Sequence, residues 1–264
     1  MKILIFLLDF FIKSSILVGV SLYCLTQITI ISTQIHTDKN YSLTIFFGTI
    51  AAYNFLKYKV VVLQNKPFSR LLIYIIITSV IAFFAFLYFY YHCAKSAQIQ
   101  LFFSGLLVCF YPFIRQFGLI KLFWISFVIS CCTVVIPLFS VYQLHTFTLI
   151  QFFQRFFLIL ALLIPFEISD SKTDSFSLQT LPQKFGVYFS KRFGYVCLLL
   201  HCIIILIFYQ FSFIVFIDFI MCATISILIL YSSQKNNYYY ASFWVESIPI
   251  VWYFSIYLII LKLI

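Results

Sequence analysis

The chain has 264 residues, of which 64% are hydrophobic and 9% charged, with a mean hydropathy of +1.09; soluble domains average about 45–50% apolar and about 25% charged. Such a composition excludes a soluble globular domain and points to an all-α, polytopic membrane protein forming one domain over 1–264. The net charge of +10 is mainly a topology signal, because nucleic-acid binding needs a basic patch on a folded soluble face and no such domain is present in the sequence.

The chain opens on MKILIFLLDFFIK. Asp9 and Lys13 interrupt this apolar run and no clear small-residue cleavage site follows, so it reads as the entry to a first span rather than a secretory signal. Spaced i, i+4, the two residues make a local helical pair. A membrane helix needs about 20 apolar residues, and nine spans are predicted at 9–32, 41–64, 70–91, 97–113, 121–142, 146–166, 193–210, 212–232 and 240–262. Lys57, Lys59, Lys66 and Arg70 surround the second-to-third connection, Arg115 and Lys121 the fourth-to-fifth, Lys172, Lys184, Lys191 and Arg192 the sixth-to-seventh, and Lys235 the eighth-to-ninth. Only Lys39, Lys95 and Lys262 fall on the other side. Lys and Arg collect in short cytoplasmic loops, so the expected arrangement is the cytoplasmic membrane of a bacterium, N-terminus inside and C-terminus outside.

Within the spans, a charge costs roughly 2.5–3.5 kcal/mol on insertion scales. Arg155 and Asp218 lie at comparable depths in the sixth and eighth spans and are expected to pair. Glu246 begins the ninth span and faces either the cavity mouth or the interface. The eight cysteines form no CxxC or spaced Cys/His pattern and read as apolar packing residues. His36, His92 and His145 fall in loops or at span edges, whereas His201 reads as a hydrogen-bonded core histidine. The runs Tyr88 to Tyr91 and Tyr238 to Tyr240 suit interfacial belts.

One polar island breaks the pattern. Residues 167–192 read EISDSKTDSFSLQTLPQKFGVYFSKR and hold three of the seven acidic residues. Glu167, Asp170 and Asp174, at i, i+3 and i+7, would share one face of a continuing helix. Carboxylates so placed repel unless a cation joins them, and Mg²⁺, which takes oxygen ligands and substrate phosphates, is the natural partner. A second apolar span ends in YNFLKYK (53–59). Two such breaks mark either a binding site between two halves of a bundle or ordinary loops.

The stretch EISDSKTDSFSLQTLPQKFG resembles the second aspartate-rich motif of the UbiA-type intramembrane prenyltransferase superfamily, an EIxDxxxD segment followed by Thr-Leu-Pro and a glycine. Glu167, Asp170 and Asp174 match the acidic positions, Thr180, Leu181 and Pro182 the triplet, and Gly186 the glycine. YPFIRQFGLIK (111–121) is similar to the connection before the family's fifth helix, and nine helices also agree. The resemblance implies helices around a central cavity that opens to lipid and cytoplasm, where Mg²⁺ bridges a prenyl diphosphate; metal ions stabilise the departing oxygens while aromatic faces and a dry pocket protect the allylic cation. It makes Glu167, Asp170 and Asp174 metal-ligand candidates and Asn54, Lys57, Tyr58, Arg115, Lys121, Lys172 and Lys184 substrate-binding candidates, and leaves the catalytic residue unassigned.

The chain departs from the family at its first motif, NDxxDxxxD, where Asn54 is followed by Phe55, Tyr58 and Val62. No Asp or Glu stands between Asp38 and Glu167. Gln179 also replaces a lysine common before Thr-Leu-Pro. Lys57, Lys59 and Arg70 could contact phosphate directly or be solvated at the headgroups. Two functions follow: a divergent prenyltransferase moving an isoprenoid from a prenyl diphosphate to a lipophilic acceptor such as an aromatic quinone precursor, or a non-catalytic relative that binds an isoprenoid, quinone or anionic membrane lipid.

Overall fold

The computed structural model describes residues 2–35, 38–63, 69–142, 145–175 and 178–263, and every regular element among them is helical. The elements are α1 (Lys2–Lys13), α2 (Ile16–Thr33), α3 (Lys39–Leu63), α4 (Arg70–His92), α5 (Lys95–Ile114), α6 (Gly118–Ser130), α7 (Ile136–Tyr142), α8 (Thr146–Asp170), α9 (Leu181–Phe208), α10 (Phe213–Tyr231) and α11 (Ile248–Leu263). Short π-helical segments, Cys131–Val135 and Tyr240–Val245, precede α7 and α11. Among the described residues, eight helices are long and apolar enough to cross a membrane: α2, α4, α5, α6 with α7, α8, α9, α10, and the last with its π-helical lead. α3, the predicted second span, has 25 residues but carries Asn54, Lys57 and Lys59 and is not among the eight. His36 and Lys66 lie outside the described residues.

Two predicted boundaries move, each for a local reason. The sequence predicts one span over 9–32, but the backbone breaks at Ser14 and Ser15, where Ser15 adopts a left-handed conformation (φ 59°). Asn54 of α3 satisfies the break: its Nδ2 donates to the Ser14 carbonyl (2.8 Å) and to Ser79 Oγ (2.9 Å), and its Oδ1 accepts from Ser15 Oγ (2.7 Å). α1 is therefore a separate helix. The predicted seventh span, 193–210, begins twelve residues early, at Leu181. Thr180 is the N-cap residue, Pro182 sits in the first turn where its missing N–H costs nothing, and the Thr180 N–H donates to Gln183 Oε1 at 3.0 Å. Gly186 interrupts α9 at φ 83°, ψ 163°, a conformation open essentially to glycine alone.

Both π-helical segments stand one turn before a proline, Pro137 and Pro249, whose missing N–H cannot continue the i→i−4 ladder. Tyr41 of α3 donates its hydroxyl to the Cys132 carbonyl inside the first of them, which ties α3 to that irregular turn.

Around the bundle, α4, α3, α2, α11, α10, α9, α8, α6 and α5 are successive neighbours. α8 carries the main core, with Leu158, Leu160, Ala161, Ile164 and Ile168 at most 1% exposed, whereas α4 and α5 leave most of their rings outward. Outward apolar side chains suit lipid contact, and close helix approach depends on small residues. A Cβ on Gly19 of α2 would meet the Ile50 side chain of α3 at 2.9 Å.

Candidate functional site

The polar island forms the turn between α8 and α9, and the N-terminus of α6 packs beneath it. Gly118, the first residue of α6, makes this approach possible: a Cβ there would lie 2.1 Å from the Leu178 carbonyl oxygen. One turn on, Lys121 Nζ lies 3.0 Å from Glu167 Oε1 and 3.3 Å from Asp174 Oδ2. Lys121 and Glu167 are each only 8% exposed, so each charge has exchanged most of its water for the other. Glu167 Oε2 is buried without a hydrogen-bond partner.

The spacing predicts a shared helical face, and the three carboxylates do lie near one another, Glu167 and Asp174 on Lys121 and Asp170 within electrostatic range of both. α8 ends at Asp170, and Asp174 reaches Lys121 from the following turn, whose Thr173 and Asp174 N–H groups donate to the Asp170 carbonyl (2.9 and 2.8 Å). Gln183 secures that turn, its Nε2 donating to the Ser171 and Asp174 carbonyls at 3.2 and 3.1 Å. Gln234, in the connection after α10, donates to Ser171 Oγ at 2.9 Å. Among the described residues, no three His, Cys, Asp or Glu side chains gather as a metal-ligand group. The Lys121 ammonium supplies positive charge between Glu167 and Asp174.

Further charges approach from α3 and α5. Lys57 and Arg115, both exposed, lie within electrostatic range of Asp170. Neither has a carboxylate within ion-pair distance among the described residues; Lys57 Nζ lies over its neighbour Tyr58, 5.4 Å from the ring centre. Tyr53, 50% exposed, is in range of Glu246, Tyr111, Asp170 and Tyr238. The end of α3 thus lies within electrostatic range of side chains from α5, α8 and the lead into α11, Glu246 among them.

The sequence candidates divide accordingly. Glu167, Asp170, Asp174, Lys121, Arg115 and Lys57 are brought together. Asn54 and Tyr58 turn instead to the α1–α2 break, Tyr58 donating its hydroxyl to the Lys13 carbonyl at 2.8 Å. Lys172 and Lys184 are exposed at the same end, and Lys184 Nζ lies 5.5 Å from the Phe185 ring centre. Sequence reasoning missed Tyr53, Gly118, Gln183 and Gln234. A glycine opening a helix beside a basic residue was a usable signal for Gly118, and Thr180-x-x-Gln183 is a capping-box pattern that signals Gln183; Gln234 acts through a tertiary contact with no local signature.

The intramembrane pair also differs from expectation. Arg155 and Asp218 do not form an ion pair within 4.0 Å. Both use Trp252: the guanidinium lies 5.3 Å from its ring centre, and the indole Nε1 donates to Asp218 Oδ1 at 2.8 Å. Arg155 also donates to Thr29 Oγ1 at 3.0 Å.

Compared with protein-family models, curated proteins and solved structures, the chain matches none of them.

Proposed function

We propose that the protein is a membrane-embedded binder of an anionic lipid, with a phosphorylated isoprenoid as the reading favoured by the UbiA-like motif, and that the island end holds the charged head at the cytoplasmic face. The observation that carries this reading is the charge arrangement. Lys121 bridges Glu167 and Asp174, while Lys57 and Arg115 stand at this end as exposed cations with no carboxylate within ion-pair distance among the described residues. Cations neutralise phosphate oxygens directly, Arg through paired donors and Lys as a point charge. Exposed apolar rings on the adjoining helices, Phe55 and Phe113 among them, suit the hydrocarbon tail.

Prenyl transfer is the second reading, and Glu167 Oε2 favours it as a buried carboxylate oxygen left for a cation. One experiment separates the two. Protein purified in mild detergent is incubated with farnesyl diphosphate, farnesol or dioleoylphosphatidylcholine, and bound lipid and released diphosphate are both measured. The binder retains farnesyl diphosphate over farnesol, releases no diphosphate, and loses about tenfold in affinity in Lys57→Ala and Arg115→Ala, the scale of one charge-assisted hydrogen bond. Mg²⁺-dependent diphosphate release abolished by Asp170→Asn, with the farnesyl group recovered on water as the alcohol in the absence of another acceptor, would establish the ionising chemistry of a transferase instead. Equal retention of farnesol and the diphosphate overturns the anionic-head reading.

A further inference from the structure

A second polar centre lies at the end of the bundle opposite the island. Arg155 precedes Glu167 by twelve residues on α8, about 18 Å along the axis, and Tyr209 follows the far end of α9. Arg155, Gln154, His201, Tyr209, Asp218 and Trp252 line a cavity of about 100 Å³. Four buried atoms in its wall have no hydrogen-bond partner: Arg155 Nη1, Gln154 Oε1, His201 Nε2 and Tyr209 Oη. Buried polar groups are nearly always satisfied, and four orphans around one space describe the ligand that would satisfy them.

Their chemistry has two poles. Arg155 Nη1 and the Tyr209 hydroxyl are donors. His201 Nδ1 lies 2.8 Å from the Gln154 carbonyl oxygen, which can only accept, so in the neutral ring Nδ1 carries the proton and Nε2 is an acceptor. Gln154 Oε1 is a second acceptor, and Asp218 adds a carboxylate. Trp252 holds Arg155 and Asp218 apart, stacking under one and donating to the other. Opposite charges in a low-dielectric interior would ordinarily close to contact; here a side chain prevents it.

We infer that this cavity binds a small zwitterion, its oxyanion on Arg155 and Tyr209 and its ammonium on Asp218, His201 and Gln154. Two sources share that chemistry, a free amino acid and the phosphoethanolamine head of a lipid. A quaternary ammonium lacks the N–H donors that these acceptors require.

The test uses the full chain in phosphatidylcholine nanodiscs, with binding of labelled glycine and O-phosphoethanolamine measured against acetate, ethylammonium and phosphocholine as competitors. Saturable binding of a zwitterion, at least tenfold tighter than either singly charged fragment and than phosphocholine, is expected. Stoichiometric phosphatidylethanolamine carried through purification and exchanged for neither phosphatidylcholine nor glycine assigns the lipid source; glycine binding in phosphatidylcholine nanodiscs assigns the free one. Arg155→Gln should abolish binding. Tyr209→Phe, which removes one hydroxyl and keeps the ring, should weaken it about tenfold with the melting temperature unchanged. Failure of every probe to saturate in protein that carries no phosphatidylethanolamine, acetate competing as well as glycine, or an unchanged affinity or retention of the zwitterion in Tyr209→Phe overturns the assignment.

Discussion

The two polar centres of the bundle handle buried charge in opposite ways. At the island end a lysine touches two carboxylates, and one oxygen of Glu167 is left without a partner. At the opposite end an arginine and an aspartate share a tryptophan without touching, and several donors and acceptors around them stay open. The first arrangement closes by direct contact, so its contribution is to hold α6, α8 and the turn at 171–175 together while Lys57 and Arg115 are exposed. The second leaves its binding capacity inside. A buried ion pair is costly to break from one side, because the survivor keeps its desolvation penalty, and this is where the two centres are easiest to distinguish.

The largest expected effect comes from removing the cation at the ion-paired end. Lys121→Met leaves Glu167 and Asp174 facing each other in a partly buried space, and should cost about 3–5 kcal/mol. Thermal unfolding in detergent measures the loss, and adding Glu167→Gln and Asp174→Asn should recover most of it. Asp218→Asn keeps an acceptor for the Trp252 indole N–H and neutralises a charge that touches no cation, so its melting temperature should change much less. Equal losses in Lys121→Met and Asp218→Asn would erase the contrast between the two ends.

A smaller effect tests how the island is positioned rather than how it is neutralised. Gly118→Ala places a methyl group 2.1 Å from the Leu178 carbonyl oxygen, and backbone must move to admit it. Overpacking of this kind costs about 1–3 kcal/mol. Because the displaced segment carries the turn that presents Asp174 to Lys121, limited proteolysis should cut within 171–180 faster in the variant than in the parent. A melting temperature and a cleavage rate both unchanged would show that the turn is not held by α6.

The distribution of legible and illegible features follows from how far each contact reaches along the chain. Membrane class and most spans were readable, since apolar run length is a local property and eight helices meet it. Thr180, Leu181 and Pro182, singled out for their match to a family triplet, are also a helix start in plain chemistry: a capping residue, then proline in the first turn. The spacing of Glu167, Asp170 and Asp174 placed the three carboxylates near one another even though α8 ends at Asp170, because the following turn keeps an i→i−4 hydrogen bond from Asp174 to Asp170. Asn54 was read beside the carboxylates for its place in a degenerate motif, but its amide is consumed by Ser14, Ser15 and Ser79, partners up to forty residues away. Arg155 and Asp218 were conspicuous as intramembrane charges. The indole that separates them, thirty-four residues beyond Asp218, was not.

The smallest expected effect concerns α1, which meets the island end only at its edge. Asp9 accepts from the Tyr239 hydroxyl at 2.5 Å and from Lys13 Nζ at 3.1 Å. The Tyr239 hydrogen bond, followed by that of Lys13, holds the Asp9 carboxyl below its ordinary value. A depressed carboxyl contributes stability that is fully present above its unfolded pKa of about 3.9 and is lost as pH falls through the lower folded value. The tie between α1 and the lead into α11 should therefore persist unchanged from neutral pH down to about 5, near the upper edge of that titration, and weaken only in stronger acid. Tyr239→Phe removes the larger cause while leaving Lys13 in place, so carbon-detected NMR titration of Asp9 should show its midpoint move upward toward the ordinary range. Lys13→Met should move it in the same direction by less. An unshifted Asp9 in Tyr239→Phe would mean that α1 is held by its apolar face alone, and the ion pair and hydroxyl would then be consequences of docking rather than contributors to it.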